Sequence, residues 1–479
     1  MKRTLAAAML ATLPLLSAQT APITAPSAPL PQPRPQPALP PPVAVSPQVA
    51  ALRDAALDDH HAWDLTEGLT TEIGPRIAGS PAEARARTWA VAKFKAMGFA
   101  NVRVEEFPVT WFNRGAESAE LLAPYPQKLV VTALGGSGFT PPGGVTGEVV
   151  GFDSIDALRL APDSAVSGKI VFIDHRMPAT QDGSGYGQFG APRRQGPTIA
   201  SKKGALAIVV RSIGTDHNRT PHTGSMTFAD GAALIPAGAL SIPDAEQLDR
   251  ILKRGLPVTL RLILEGTRTP AVSGNVIAEV PGRDPALPPV LVAGHLDSWD
   301  AGTGAIDDGT GVAIAAAAAK RIMDAGRPLR TIRVVWFGSE EIGLFGGFDY
   351  TKRHGTEPLH VAIESDFGAD RIWKVDSNFG KAREDEARRL GAALAPLGIV
   401  TGVFDSAEGS DITPLLAAGQ PGVTLEQDGT RYFDLHHTSN DTLDKVDREQ
   451  LRQNVAAWTT MLAVLAGPIV ADPKRSTRR

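Results

Sequence analysis

Short apolar runs alternate with stretches of helical periodicity in the second half of the chain, from Gly274 onward. The runs have the length of buried strands, and the longer stretches repeat their apolar positions as amphipathic helices do. The predicted strands are 275–280, 290–293, 331–337, 361–365 and 422–425. The predicted helices lie near 309–325, 385–395, 411–418 and 450–465. This alternation predicts an α/β sandwich on a largely parallel or mixed sheet.

The first half of the chain has a different pattern. Residues 82–97 predict a helix that ends at Gly98, and residues 102–107 alternate as a strand does. Short strands split by glycine and proline follow, at 128–132, 148–152, 169–174, 207–211 and 258–264. Helices in this part are few and short, near 197–203 and 243–253. We therefore predict a β-rich module, residues 125–270, inserted into one domain formed by residues 48–124 and 271–468.

The residue patterns at the two ends of the chain predict a secretory signal, a linker and a disordered tail. Residues 1–21 have a basic start, an apolar run from Leu5 to Leu16 and then small residues, which is typical of a secretory signal peptide. The run is shorter than the ~20 residues that cross a bilayer, so we expect a periplasmic or secreted protein without membrane association after signal removal. Eleven prolines in residues 22–47 predict an extended linker, and residues 469–479 predict a disordered basic tail.

Composition narrows the possible chemistry. The 479 residues include no cysteine, which excludes disulfides, zinc fingers, iron–sulfur clusters and thiol nucleophiles. A bound metal must therefore be held by His, Asp and Glu. The formal net charge of −4 argues against a nucleic-acid binder, which would carry a basic excess.

Candidate ligand side chains follow the ends of successive predicted strands and precede the last helix. Because ligands of α/β sheets sit beyond the carboxyl ends of the strands, we expect these side chains to meet at one edge. Taken singly, each motif has a plainer explanation as a turn, a helix cap or a surface loop. In chain order the candidates are His295 and Asp297, Asp307 and Asp308, Glu340 and Glu341, Asp366, and His436 and His437.

Two adjacent cations need one bridging carboxylate, and each also needs an imidazole and a further carboxylate. The set that supplies this is His295, Asp307, Glu341, Asp366 and His437, with Asp307 as the natural bridge. Asp297 is placed to accept the other ring N–H of His295. Glu340 has no metal to bind in this scheme, so we predict that it is the general base.

These segments resemble a known family. The runs GHLDSWDAGTGAIDDGTG, FGSEEIGLFGG, ESDFG and HHTSNDT are similar to co-catalytic zinc metallopeptidases related to carboxypeptidase Q and to bacterial leucyl aminopeptidases. The resemblance covers residues 60–466. It implies a three-layer α/β/α sandwich around a mixed, largely parallel sheet, which is the zinc exopeptidase fold.

The resemblance also implies the site. One of two zinc ions per chain would be held by His295, Asp307 and Asp366, and the other by Asp307, Glu341 and His437, with Glu340 as general base. The family's His-x-x-x-Asp-Thr spacing selects His437 over its neighbour. A cis peptide between Asp307 and the following aspartate is a further family feature.

The inserted module resembles a protease-associated domain in the runs VSGKIVFIDH, TIASKKGALAIVV and IPAGALSIPDAEQL. Such domains are usually non-catalytic and cap or restrict the cleft. We therefore expect His175, His217 and His222 to be surface residues rather than ligands.

The resulting hypothesis is an exported di-zinc exopeptidase that hydrolyses short peptides or dipeptides, most naturally from the free amino end. Two alternatives stay open: a catalytically inactive receptor or scaffold, and an acyltransferase like the glutaminyl cyclases, which use one zinc. Relatives include dimers, so a homodimer is an open expectation. Ser410 and Asp411 are candidates for the substrate site or for a helix N-cap, and Trp299 and Tyr432 for a substrate pocket or for packing.

Overall fold

A computed structural model describes residues 43–229 and 231–471. The predicted signal peptide, most of the predicted linker and the last eight residues of the tail lie outside the described residues. Val470, at the start of the predicted tail, exchanges backbone hydrogen bonds with Arg327, at 2.9 and 3.0 Å. Among the described residues, no helix combines the length and the apolar character that crossing a bilayer requires.

The described helices begin mostly at residues suited to capping. Ser46, Ser80 and Ser241, for example, each precede a helix and accept a hydrogen bond from one of its first backbone amides. In chain order the α-helices are α1 (Pro47–Ala56), α2 (His61–Gly68), α3 (Pro81–Met97), α4 (Ile155–Leu160), α5 (Asp163–Val166), α6 (Gly185–Phe189), α7 (Ala191–Lys202), α8 (Ile242–Leu252), α9 (Thr310–Ala325), α10 (Phe345–His354), α11 (Glu384–Leu394), α12 (Thr413–Ala417) and α13 (Arg448–Leu465). Shorter helical turns span Leu69–Ile73, Ala305–Gly309, Lys381–Arg383, Ala395–Leu397, Tyr432–Asp434 and Leu443–Lys445.

The strands form one large mixed sheet and one small sheet. In chain order they are β1 (Ala100–Ala123), β2 (Gln127–Leu129), β3 (Val131–Ala133), β4 (Val145–Phe152), β5 (Ile170–Ile173), β6 (Ala207–Arg211), β7 (Ala237–Leu240), β8 (Thr259–Val280), β9 (Val290–His295), β10 (Ile332–Phe337), β11 (Val361–Glu364), β12 (Ile372–Ser377), β13 (Val400–Thr401) and β14 (Val423–Gln427). The large sheet runs β11-β9-β10-β8-β4-β5-β6-β7-β3, and the small one runs β13-β12-β14.

Helices cover both faces of the sheet where it carries β8 to β11. Alternate strand residues point to opposite sides. Val292, Val334 and Trp336 join a core packed by α9 and α13. Leu291 and Val335 join a separate core under α10 and α12. Strands buried on both faces read as continuous apolar runs, which is why the sequence predicts them well. β9 is parallel to β10 and β11, whereas β8 is antiparallel to β10, so the predicted mixed α/β fold is confirmed.

The predicted inserted module is continuous with this sheet. Its strands β4 to β7 are parallel to one another, and β4 pairs antiparallel with the first part of β8. The module also has its own apolar cores, one around Phe172 and Val209 and one around Val171 and Val210. Five α-helices, α4 to α8, lie in this segment, which is more helix than its sequence predicts. Its extent as a domain, and its kinship to protease-associated domains, stay predictions.

Two long strands depart most from the predicted elements. β1 and β8 pair antiparallel from Ala100 opposite Glu279 to Ala123 opposite Thr259. The sequence predicts only the short segments 102–107, 258–264 and 275–280, because proline and glycine within both strands break the alternation. β8 also runs through the predicted domain boundary at residue 270. The ribbon of β1 and β8 therefore joins the two parts of the chain.

Helix α10 is absent from the sequence prediction because three glycines surround its start. Close packing in the structure explains why two of these positions are glycine. A Cβ on Gly346 would lie 2.3 Å from the carbonyl oxygen of Gly338, and one on Gly347 would lie 2.2 Å from that of Asp411. These glycines let the helix pack directly on the backbone behind the strand ends. They mark close packing rather than a loop.

Substitution of Trp336 tests the packing of the core. Trp336 is fully buried on β10, with its ring centroid 4.5 Å from that of Phe94 and 6.3 Å from that of Trp89. We expect Trp336→Ala to lower the free energy of unfolding by about 3–5 kcal/mol, because it removes apolar contacts and leaves a cavity. Urea titration measures this. Leu160→Ala, at an 85 % exposed position, is the control and should cost less than about 0.5 kcal/mol. Equal losses in the two variants would contradict the packing argument.

Candidate active site

The carboxyl ends of the parallel strands β9, β10 and β11 bring the predicted ligands to one edge of the sheet. His295 is the last residue of β9, Glu341 follows β10, and Asp366 follows β11. Asp307 lies in the turn before α9, where its backbone is not helical, and His437 lies in the loop before the last helix. All but Asp366 are buried, and the Asp366 side chain is 12 % exposed. The five predicted ligands therefore converge, as their sequence positions suggest.

Asp307 stands between two imidazoles. Its Oδ1 lies 3.1 Å from Nε2 of His295, which is also 3.2 Å from Oδ1 of Asp366. Its Oδ2 lies 3.3 Å from Nε2 of His437, which is also 3.1 Å from Oε2 of Glu341. The two groups share only Asp307, with one carboxylate oxygen directed to each. This is the arrangement that a bridge between two cations requires.

The donor atoms fit divalent cations. Oδ2 of Asp307 is buried, and no described residue forms a hydrogen bond with it. The imidazole and carboxylate atoms of His295, Asp307 and Asp366 lie within 4.8 Å of one another, and so do those of Asp307, His436 and His437. Imidazole nitrogens and carboxylate oxygens that converge in this way suit a divalent metal ion.

The two neighbouring histidines differ in their contacts. Their rings stack with centroids 3.4 Å apart, but Nε2 of His436 is 3.7 Å from Asp307 and forms no ion pair with Glu341. His437 has a positive φ of 63° and directs Nδ1 toward the carbonyl of Thr223, at 3.3 Å. That contact leaves Nε2 facing the carboxylates. The geometry favours His437 as the ligand.

The side chain of Asp297 acts differently from the prediction. The Nδ1 atom of His295 lies 3.0 Å from the backbone carbonyl of Asp297 and 3.7 Å from its carboxylate. The carboxylate instead accepts the backbone N–H groups of Glu340 and Glu341, at 3.1 and 3.4 Å. Asp297 thus fixes the turn that carries both glutamates. The cause is the tight turn after His295, which brings the backbone carbonyl closer to the ring than the side chain.

Glu340 is only partly buried, in contrast to Glu341. Among the described residues, no donor hydrogen-bonds to its carboxylate, so the group is free to act on a substrate or a water. Burial and then the nearby Asp366 raise the pKa of Glu340 well above its ordinary value. A raised pKa makes this carboxylate a better proton acceptor.

The whole cluster is short of positive charge. Burial raises the pKa of Asp307, and burial followed by repulsion from Asp307 raises that of Glu341 well above its ordinary value. Burial lowers the pKa of His437 well below its ordinary value, with His436 adding to the effect. His295 differs from His437. Burial alone would lower the pKa of His295, but the charge of Asp366 and hydrogen bonds to nearby carboxylates outweigh burial and raise this pKa well above its ordinary value. Cations at this site would relieve the repulsion among the acids.

Several supporting residues were not identified from the sequence. Asp441 accepts the backbone N–H groups of Ile306 and Asp307, at 2.6 and 3.2 Å, and so shapes the turn that carries the central carboxylate. Arg76 is fully buried and donates to the backbone carbonyls of Leu296, at 2.5 Å, and Gly304, at 2.9 Å. It holds both ends of the loop after β9. No local pattern around Arg76 points to this contact.

The turn itself contains the cis peptide between Asp307 and Asp308 that the family resemblance implies. Asp308 is fully buried, and both of its carboxylate oxygens accept backbone N–H groups. Its Oδ2 accepts the backbone N–H of His295 at 3.0 Å, and its Oδ1 accepts that of Gly311 at 3.1 Å. It ties the turn to β9 and to the start of α9.

The loop before α12 supports the site and does not cap the helix. Ser410 donates to Oδ2 of Asp366 at 2.6 Å, and Asp411 accepts the backbone N–H of Gly347 at 3.1 Å. The N-cap of α12 is Ile412, so the N-cap explanation of Ser410 and Asp411 is wrong. Ser410 orients a predicted ligand from outside.

The two candidate pocket aromatics are mostly packed. Trp299 is 3 % exposed and meets His437 edge-on at 5.6 Å between ring centroids. Tyr432 is 7 % exposed and lies 5.0 Å from His436. Both form walls behind the histidines, which is the packing alternative left open by the sequence.

The inserted segment contacts the loop that carries His436 and His437, here called the histidine loop, from the side opposite the strand ends. His222 is fully buried, which corrects the expectation of a surface residue; its Nδ1 lies 2.8 Å from the carbonyl of His436, and its Nε2 lies 2.8 Å from Asp216. The backbone N–H of Thr223 donates to the carbonyl of His437 at 3.1 Å. His217 is an exposed residue, as expected, whereas His175 is half-buried against Phe189. The insert folds onto the site, and nothing local in the sequence around His222 signals that contact.

The charge imbalance predicts a pH dependence. Burial raises the pKa of Glu364, beside the site, to about 8 and that of Asp441 to about 7. A carboxyl group with a raised folded-state pKa stabilises the fold at low pH and loses that contribution as the pH rises through the folded value. We therefore expect the free energy of unfolding of chelator-treated protein to fall by about 1–2 kcal/mol between pH 7 and pH 9.

Urea titrations at both pH values measure this fall. His437 does not contribute, because its folded pKa is lowered and its unfolded pKa of about 6.5 lies below the window, whereas the raised pKa of His295 adds to the fall. Saturating divalent cation should flatten the dependence by lowering the carboxyl pKa values. A fall of the same size with and without cation would contradict the assignment of these acids to a cation site.

Comparisons with known proteins agree with this geometry. Residues 275–462 match the model of peptidase family M28. Human carboxypeptidase Q is 35 % identical over 405 residues, which cover 83 % of this chain and 84 % of that protein. A peptidase M28 precursor from Shewanella amazonensis SB2B has a crystal structure with 44 % identity and a TM-score of 0.86, covering 88 % of this chain and 97 % of that one.

A more distant structure shares the fold alone. It is a zinc aminopeptidase from Bacillus subtilis, 20 % identical, with a TM-score of 0.59 over 84 % of this chain and 93 % of that chain. The sequence match to carboxypeptidase Q extends well beyond the segment that the family model covers, and the near-complete overlap with the Shewanella structure adds the fold. The chain therefore belongs to peptidase family M28.

Proposed function

We propose that this protein is an exported, zinc-dependent exopeptidase that hydrolyses short peptides or dipeptides, most naturally from the free amino end. The observation that carries the proposal is the carboxylate of Asp307, which has one oxygen directed to His295 and the other to His437. Membership of peptidase family M28 and the name of the Bacillus subtilis relative support zinc as the metal. Export rests on the signal-like pattern of residues 1–21.

In this proposal each of two zinc ions has its own set of protein donors. His295 and Asp366 would hold one ion, Glu341 and His437 would hold the other, and both sets would share Asp307. When bound, the ions would polarise the scissile carbonyl and make water acidic enough to attack at neutral pH. Ser410 and Thr223 keep Asp366 and His437 in orientation through hydrogen-bonding contacts of 2.6 and 3.3 Å.

Glu340 is the proposed general base. It accepts a proton from the attacking water and donates it to the nitrogen of the leaving amine. Three features support the role: its part exposure, its carboxylate without a protein hydrogen-bond donor among the described residues, and its raised pKa. Asp297 keeps Glu340 in place through the backbone hydrogen bond of 3.1 Å. Asp297 is thus a positioning residue.

The charge of the site supports recognition of a free amino end. The carboxylate of Glu340 is partly exposed and is the acid of the cluster that is not assigned to a zinc ion. An ammonium group of a peptide would be attracted to such an acid, whereas a substrate carboxylate would be repelled. The scissile bond would then lie close to the amino terminus.

The two alternatives fit the residues less well. An inactive receptor would be expected to lack a ligand or the base, yet the ligand set and Glu340 are complete. A glutaminyl-cyclase-like acyltransferase would need one metal group, yet two groups share Asp307. Metal content and a substrate survey separate all three functions.

Glu340→Gln and His295→Ala test the two roles separately. We expect Glu340→Gln to keep its zinc and its fold but to lose about 10²–10⁴-fold in kcat on a dipeptide, because the amide cannot accept the proton. His295→Ala should lose zinc as well as activity, because one ion loses its only imidazole. Zinc content by atomic absorption and dipeptide hydrolysis by release of free amino acid are the measurements.

Glu449→Gln is the matched control, because this glutamate is exposed on the first turn of α13, away from the site. It should keep full activity and two zinc ions per chain. Full activity in Glu340→Gln would remove the assigned base. One zinc per chain in the wild-type protein would exclude the two-ion site and favour the cyclase alternative.

A further inference from the structure

One buried cation next to the site has no anionic partner. Arg193, on α7 of the inserted segment, is 3 % exposed. Its Nη2 donates to the hydroxyl of Tyr186 at 2.5 Å, and its Nη1 donates weakly to the carbonyl of Thr223 at 3.3 Å. Its Nε is buried and has no hydrogen-bond partner in the part of the chain that the structure describes. Among residues 43–229 and 231–471, no carboxylate forms an ion pair with Arg193.

This guanidinium lies beside a predicted metal ligand. The carbonyl of Thr223 is shared, at 3.3 Å, by Nη1 of Arg193 and by Nδ1 of His437. A Cβ on Gly224 would lie 2.2 Å from Nη1 of Arg193 and 2.8 Å from Nδ1 of His437. Gly224 therefore leaves the space that brings Arg193 against the histidine loop. The positive charge comes from the insert, while the acids come from the other side of the site.

Such a charge is costly to bury unless something compensates it. A guanidinium removed from water without an anion forgoes the charge-assisted, bidentate hydrogen bonds that it forms best. Tyr186 and Thr223 offer it neutral oxygens, and the Tyr186 ring lies with its centroid 5.3 Å from Cζ, but neither residue carries a negative charge. By contrast, Arg114, on β1, is paired with both carboxylate oxygens of Asp300, at 2.9 Å each. Arg193 is thus held ready for an anion that the chain itself does not supply.

The proposed reaction supplies such an anion. A dipeptide carries its free carboxylate one residue beyond the scissile bond, and one extended residue spans about 3.3–3.6 Å. The acids of the site would attract the ammonium end, and the insert would meet the opposite end. A carboxylate is also the anion whose planar shape a guanidinium matches with two parallel hydrogen bonds.

We propose that Arg193 binds the free terminal carboxylate of the substrate and so selects very short peptides, dipeptides above all. This inference rests on the proposed peptidase function and adds a specificity-determining residue to it. It gives the inserted segment a direct part in substrate recognition. Tyr186 and Thr223 are positioning residues for the guanidinium.

Three substrates that differ only at the carboxyl side test the inference: Ala-Ala, Ala-Ala-amide and Ala-Glu-amide. Wild-type protein should prefer Ala-Ala. In Arg193→Ala, kcat/KM for Ala-Ala should fall about 10–100-fold, mainly through KM, because charged hydrogen bonds to the substrate are lost. Ala-Ala-amide should change less than about threefold, since it has no carboxylate to lose. Arg193→Lys should recover part of the preference, because it keeps the charge without the planar fork.

Arg194→Ala is the matched control on the same helix. Arg194 is less buried than Arg193, hydrogen-bonds only to the backbone carbonyl of Gly187, and should be dispensable for the preference. Its substrate profile should equal that of the wild-type protein.

Four outcomes are decisive. Equal losses on Ala-Ala and Ala-Ala-amide in Arg193→Ala would reduce Arg193 to a structural role and overturn the inference. Equal hydrolysis of these two substrates by the wild-type protein would overturn it while leaving the peptidase function intact. Hydrolysis of Ala-Glu-amide as fast as Ala-Ala, lost in Arg193→Ala, would show that the ligand is a side-chain carboxylate instead. No hydrolysis of any peptide by the zinc-loaded wild-type protein would overturn the proposed function and the inference together.

Discussion

The carboxylates that converge on His295 and His437 in a buried pocket repel one another, and the surrounding structure holds them in place. Asp441 and Asp297 bind backbone amides of the turns that carry the central acids. Arg76 donates hydrogen bonds to backbone carbonyls of the neighbouring loop. The framework thus fixes the backbone rather than neutralising the acids, which leaves their charge available for cations. The fold bears a local electrostatic cost that bound metal would relieve.

The site is assembled from two sides. The ends of β9, β10 and β11 present one imidazole and most of the acids, because parallel strands finish at a common edge. The inserted segment approaches the histidine loop from the opposite side, through His222 and Thr223. Substrate specificity can therefore vary with the insert while the acids on the strand ends stay unchanged. In the proposed function, the catalytic residues and the residue that selects the peptide lie in different parts of the chain.

The sequence predicts what depends on local pattern. The apolar runs of β9 to β11 are continuous because both faces are buried, so the acids that follow them could be placed at one edge. The full length of β8 could not be predicted, because glycine and proline break its alternation while β1 supplies its partners. Arg76, His222 and Arg193 were missed as functional residues for a related reason. Each acts on residues far away in sequence, as His222 does on His436, 214 positions later.

The ribbon of β1 and β8 has a consequence for the order of folding. Its strands pair residues as far apart in the chain as Ala100 and Glu279. If pairing began with these two residues, the chain between them would form the longest loop, and the entropy cost of closing a loop rises with its length. At the other end, Ala123 and Thr259 enclose only the inserted segment. We expect the insert to form first and to align the two strands, which then pair progressively toward the core. The insert would thus act as a folding nucleus for the ribbon that connects it to the rest of the protein.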